Sequence, residues 1–101
     1  MTETELQDYL ILRNLEEPLP RDEFEPAAEH AVGVVQRLAD EGVGIRWLKS
    51  DVRTRTDGSV TGTFCHYQAE SEEALYEHAA RAGLPVTRID LHGETIESGA
   101  R

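Results

Sequence analysis

The residues best suited to chemistry in this sequence are four histidines and one cysteine: His30, His66, His78, His92 and Cys65. Neutral imidazole and thiolate bind borderline divalent ions such as nickel, zinc and copper. Their spacing closes no metal motif, since the sequence has no His-x-x-x-His, no Cys-x-x-Cys and no Glu-x-x-His. A site must therefore be assembled by the fold or across a dimer. His78 shares a helical face with Leu75 and Ala79, so it points inward. Two readings follow: a core imidazole hydrogen-bonded to a strand carbonyl or to Tyr67, and a metal ligand or general base. Cys65 reads either as a small buried hydrophobe or as a ligand. Cys65 and His66 are neighbours on one strand and face apart, which rules out a thiol and imidazole dyad. By the same alternation Cys65 and Tyr67 share one side, and Phe64 and His66 the other. His30 and His92 read as surface residues. Trp47 is an apolar anchor whose indole N–H needs an acceptor. Arg46 and Arg88 are candidates to hold an anion, or to form solvated ion pairs.

Those side chains must be positioned by six elements. Tyr9 to Leu12 is a compact apolar run, and Asp8–Asn14 is expected to be the first strand. Pro18 and Pro20 then mark a turn, and Asp22 is an expected helix cap with Glu23 and Glu25 near the positive end of the dipole. Phe24, Ala28, Ala31, Val32, Val35, Leu38 and Ala39 follow helical spacing up to Gly42. From Val43 to Arg55 residues alternate as in a strand, with Val43, Ile45 and Trp47 on one side and Arg46, Leu48 and Ser50 on the other. Asp57-Gly58 is a hairpin turn leading into a third strand, Val60 to Ala69. Ser71 caps a second helix, Gly83 ends it, and Pro85 prevents continuation. A last strand runs from Val86 to His92, with Thr95 and Ile96 as an extension. Residues 1–7 and 97–101 are expected to be flexible ends flanking a single domain over 8–96.

The order β-α-β-β-α-β predicts an α+β, ferredoxin-like sandwich: a four-stranded antiparallel sheet with both helices on one face. The other face is left uncovered yet carries large apolar residues, so a homodimer through that face is expected.

Composition narrows the function classes. A chain of 101 residues has room for one core. The net charge of -10 repels phosphate backbones and anionic lipid, which argues against nucleic acid and membrane surfaces as partners. No apolar run reaches the roughly 20 residues needed to cross a bilayer, and the N-terminus is acidic, unlike a signal peptide. With a single cysteine excluding an internal disulfide, a cytoplasmic protein is expected. Lys49 is the one lysine against nine arginines and twenty acidic residues, a skew that fits either a high-salt cytoplasm or an arginine-biased genome. Gly42 and Gly44 precede no helix, so no phosphate loop is expected.

Three blocks then carry a resemblance: Ile45-Arg46-Trp47-Leu48-Lys49-Ser50, Thr63-Phe64-Cys65-His66-Tyr67-Gln68-Ala69, and Glu73-Ala74 with Glu77-His78-Ala79-Ala80-Arg81-Ala82-Gly83-Leu84-Pro85. Together, over about residues 8–96, they resemble a family of small bacterial and archaeal proteins long grouped as a domain of unknown function. One member of that family is a nickel-binding protein with a dimeric ferredoxin-like fold. The chain departs from the family pattern at His66, where an aliphatic residue is usual, and at Gln68-Ala69-Glu70. The resemblance implies a small metal-binding domain, with nickel or another divalent ion held by His78 and by His66, Cys65 or an acidic neighbour. Two alternatives stand beside it. One is a small dimeric enzyme of isomerase or cofactor-free oxygenase type, with a pocket between helices and sheet, His78 as base and Tyr67 or Arg46 orienting substrate. The other is a non-catalytic interaction module.

Overall fold

The computed structural model describes residues 5–99. The elements run β1 (Gln7–Leu19), α1 (Arg21–Asp40), β2 (Ile45–Thr54), β3 (Val60–Ala69), α2 (Glu72–Ala82) and β4 (Arg88–Leu91). All neighbouring strands pair antiparallel, in the order β2-β3-β1-β4. This is the ferredoxin-like arrangement that the sequence predicts. Of the expected flexible ends, residues 1–4, 100 and 101 lie outside the described residues; Gln7 already belongs to β1, and 97–99 belong to no regular element.

One sheet face is closed by the helices. Tyr9, Ile11, Cys65, Tyr67, Ala69 and Ile45 pack there against Val34 and Leu38 of α1 and Ala74 and Leu75 of α2. Ile11, Val34, Leu38 and Leu75 are fully buried, each worth about 1.5–3 kcal/mol of apolar transfer. The second helix is bounded as the sequence predicts: Ser71 Oγ accepts from the Ala74 N–H at 3.2 Å, and Gly83 takes the left-handed conformation, φ 72°. Its last turn is tied to the end of α1, where Arg81 donates to both carboxylate oxygens of Glu41 at 2.8 and 3.0 Å.

Four boundaries differ from the sequence reading, each for a local reason. β1 continues past Asn14 to Leu19, because the ladder with β3 is interrupted after Asn14 and resumes at Leu19 opposite Val60. Pro18 falls in that gap, where no backbone donor is required. α1 starts at Arg21 after Pro20, with no side-chain cap, so Asp22 lies inside the first turn with Glu23 rather than capping it. β4 is restricted to Arg88–Leu91, and Ile96 is 85% exposed rather than part of a strand.

The fourth difference has the largest effect. β2 starts at Ile45 and carries a bulge: Trp47 faces Tyr67 on β3, but Lys49 faces His66, leaving Leu48 as an extra residue. Alternation is therefore reset. Ser50 pairs with Cys65 and lies on the same face as Trp47, not on the opposite face as simple alternation predicts.

The uncovered face carries Leu10, Leu12 and Phe64 near its centre, with Phe64 40% exposed. Polar side chains share that face, among them Asp8, His66, Gln68 and Asp51. Across it, Arg53 of β2 reaches over Gly62 of β3 to the Arg13 carbonyl (3.0 Å) and Asn14 Oδ1 (2.5 Å) of β1. A side chain at residue 62 would collide with that Arg13 carbonyl and with the Arg53 guanidinium, which is why glycine stands there.

Candidate functional site

The register of three strands builds a polar cluster on the uncovered face. β1 places Asp8 beside Gln68, with His66 two residues along β3 on the same face, and the His92 N–H closes on the Asp8 carbonyl at 2.8 Å just beyond β4. His66 Nε2–H donates to Asp8 Oδ2 at 2.8 Å, and Gln68 Nε2 donates to Asp8 Oδ1 at 3.1 Å. Both bonds favour the ionised carboxylate, so the Asp8 pKa lies below its ordinary value, with the His66 bond the main cause. The His66 and His92 rings stack at 5.0 Å between centroids with an interplanar angle of 24°. His92 Nε2 is also 3.1 Å from Thr95 Oγ1, which holds the ring in place.

One ligand atom from each of Asp8, His66 and His92 lies within 4.8 Å of the other two, a grouping of potential metal ligands unmatched among the described residues. Two imidazoles and a carboxylate form a nitrogen and oxygen donor set suited to nickel, zinc or copper. Adjacent donors around an ion with bonds of about 2.1 Å are about 3.0–3.4 Å apart, so the 2.8 Å Asp8–His66 separation needs little adjustment. The Gln68 bond fixes the carboxylate's second oxygen, as outer partners of metal ligands commonly do.

The other residues singled out from the sequence lie elsewhere. His78 and Cys65 face the helices, on the side of the sheet opposite His66, so the structure does not bring these three together. His78 is fully buried on α2, donates Nε2–H to the Ala31 carbonyl at 2.9 Å, and lies against Tyr67 with the two rings tilted at 51°. Burial first, and then the Arg13 charge, push its pKa below the ordinary imidazole value. Arg46 lies on the uncovered face opposite Gln68, and Arg88 pairs with Asp90 at 2.8 Å. His30 is exposed, as expected. His92 was expected to be a surface residue; only the β1–β4 register reveals that it meets His66.

Trp47, Tyr67 and Cys65 do converge, along a cavity of about 390 Å³ between α1 and the sheet. The Trp47 indole finds its acceptor in Ser50 Oγ at 2.9 Å, and Ser50 Oγ in turn donates to Cys65 Sγ at 3.0 Å. Both bonds depend on the Leu48 bulge.

With this geometry described, the chain can be set beside known proteins. The profile of a family described as "Nickel responsive protein SCO4226-like" matches residues 9–91. The chain belongs to that family. The SCO4226-like match runs from β1 through β4 and takes in Cys65, His66 and His78, while Asp8 and His92 sit immediately outside its two ends. The crystal structure of SCO4226 from Streptomyces coelicolor A3(2) has the same fold: TM-score 0.66, 12% identity, covering 88% of this chain and 99% of that one. No curated protein matches the chain. No helix among the described residues is long and apolar enough to cross a membrane.

Proposed function

We propose that this SCO4226-like domain binds a divalent transition metal, nickel foremost, through Asp8, His66 and His92 on the uncovered sheet face. The observation that carries the reading is the convergence of two imidazoles and an ionised carboxylate from β1, β3 and the end of β4. The family description supplies nickel as the first ion to test. Asp8 is already held as a carboxylate, and its hydrogen bond marks His66 Nε2 as the atom that gives up a proton when a cation takes its place. The ring keeps that proton by carrying it on Nδ1 instead, and because only a neutral imidazole can ligate, binding is weaker in acid than at neutral pH. Donor chemistry alone favours copper over nickel, so preference between them rests on availability and geometry.

A second copy packing on the same face fits this reading, since Phe64, Leu10 and Leu12 would be covered beside the donor cluster. Calorimetric titration of nickel into tag-free protein tests the site. The expected result is one ion per chain, with affinity lowered about tenfold or more in His92→Ala and in His66→Ala. His78→Gln should leave it unchanged. Wild-type affinity in both His92→Ala and His66→Ala would refute the assignment.

A further inference from the structure

On the helical side of the sheet, Arg13 is only 3% exposed, and a charged side chain so deeply buried normally has a charged partner. Arg13 has none. Its Nη1 donates to the Pro85 carbonyl at 3.0 Å and its guanidinium lies 5.8 Å from the Tyr67 ring centre, but Nε and Nη2 are buried without any hydrogen-bond partner. Burial raises the Tyr67 pKa and outweighs the Arg13 guanidinium, which is within polar reach of the phenol and favours its ionised form, so Tyr67 stays neutral and offers no counter-charge. Glu29, the one carboxylate lining the cavity, is exposed and forms no ion pair with Arg13.

Arg13 forms part of the wall of the 390 Å³ cavity, whose remaining surface is almost wholly apolar. Phe24, Ala28 and Val32 contribute from α1, and Trp47 and Val52 from β2. Val32, Trp47 and Val52 are each 39–46% exposed along it. An apolar cleft of this volume with one unsatisfied cationic group is built for a small molecule having a hydrocarbon body and one anionic head. A planar carboxylate matches the guanidinium fork in two hydrogen bonds, and Nε with Nη2, both enclosed as the side chain sits, is the pair of donors a ligand would have to uncover. A net charge of -10 disfavours polyanions and leaves a monovalent acid as the fitting class.

We infer that the cavity between α1 and the sheet binds a small aliphatic or aromatic carboxylic acid, its carboxylate on Arg13 and its body between Val32 and Trp47. This site lies on the face opposite Asp8, His66 and His92, so it stands or falls independently of metal binding.

Trp47 is the single tryptophan and lines the cavity, so its fluorescence reports occupancy directly. The probes are octanoate and octanol, which share a hydrocarbon body and differ in the anionic head. Octanoate should give a saturable change, with octanol roughly tenfold or more weaker, and Arg13→Met should weaken octanoate until the two probes match. Ala28→Phe, which fills the cavity with Arg13 intact, should abolish the saturable change and keeps the test decisive if Arg13→Met does not fold. Equal affinity for the two probes in the wild type would overturn the inference. So would wild-type binding by Ala28→Phe, or a Trp47 signal that follows protein concentration and ignores octanoate, which would make the cavity an interface for a second copy.

Discussion

Lowering the pH and replacing His78 by Gln both act on the same buried imidazole, and together they test the helical side of the core. His78 is fully buried, its Nε2–H is used on the Ala31 carbonyl, and Nδ1 has no partner. Arg13 from β1 and Tyr67 from β3 are polar groups that face it from the sheet. Burial disfavours the charged ring, and a second proton would also put a cation near Arg13, so the folded-state pKa is pushed below the ordinary 6.5. The unfolded chain still takes up that proton near 6.5. The His78 contribution is therefore complete above pH 6.5 and is lost as the pH falls from 6.5 towards the folded-state value. The slope approaches about 1.4 kcal/mol per pH unit, so descending from about pH 7.5 to about pH 5.5 removes up to about 1.4 kcal/mol. For a domain of this size that is roughly 6–11 °C in Tm. Asp8 acts in another window: its lowered pKa gives a contribution present above 3.8 and lost only as the pH falls through its folded-state value. Urea denaturation at the two pH values measures the loss. His78→Gln, neutral throughout and still able to donate to Ala31, should lose less than the wild type over that interval, by up to about 1.4 kcal/mol. Equal losses in the two proteins, or a His78 imidazole that titrates at or above 6.5 by NMR, would refute the reasoning.

Two further perturbations address the sheet. Gly62→Ala forces a Cβ against the Arg13 carbonyl and the bridging Arg53 guanidinium, and should cost about 1–3 kcal/mol in urea denaturation; an unchanged midpoint would show that β1 and β3 yield easily there. Phe64→Asp adds a charge to the centre of the uncovered face, and light scattering should show it as a single 11.3 kDa chain where the wild type is expected at twice that mass; equal masses would place any pairing elsewhere.

Most of the architecture was legible because its punctuation is local. Asp57-Gly58 marks the β2–β3 hairpin, Ser71 and Gly83 bound α2, and the alternation along β3 correctly separates Cys65 and Tyr67 from His66. What sequence reading missed depends on distant pairings. His92 joins His66 only because its N–H bonds to the carbonyl of Asp8, more than eighty residues earlier, and no local pattern encodes that register. Arg13 was passed over because arginine is ordinarily solvated, and only the packing around it shows the guanidinium enclosed. Strand periodicity also carries no sign of an extra residue, so the bulge at Leu48 left Ser50 assigned to the wrong side.

That extra residue sets how β2 responds to changes in length, in a way that substitutions do not reveal. Removing Leu48 would restore uninterrupted pleating and leave Lys49 opposite His66 and Ser50 opposite Cys65, so every later position would keep its face. Removing both Leu48 and Lys49 would instead drive Asp51 and Arg53 toward α1, while Ser50 and Val52 emerged on the far side. The bridge from Arg53 to Asn14 and the acceptor for the Trp47 indole would be lost together. The bulge thus gives β2 one residue of slack, and only a second loss would mix the chemistry of the two sheet surfaces.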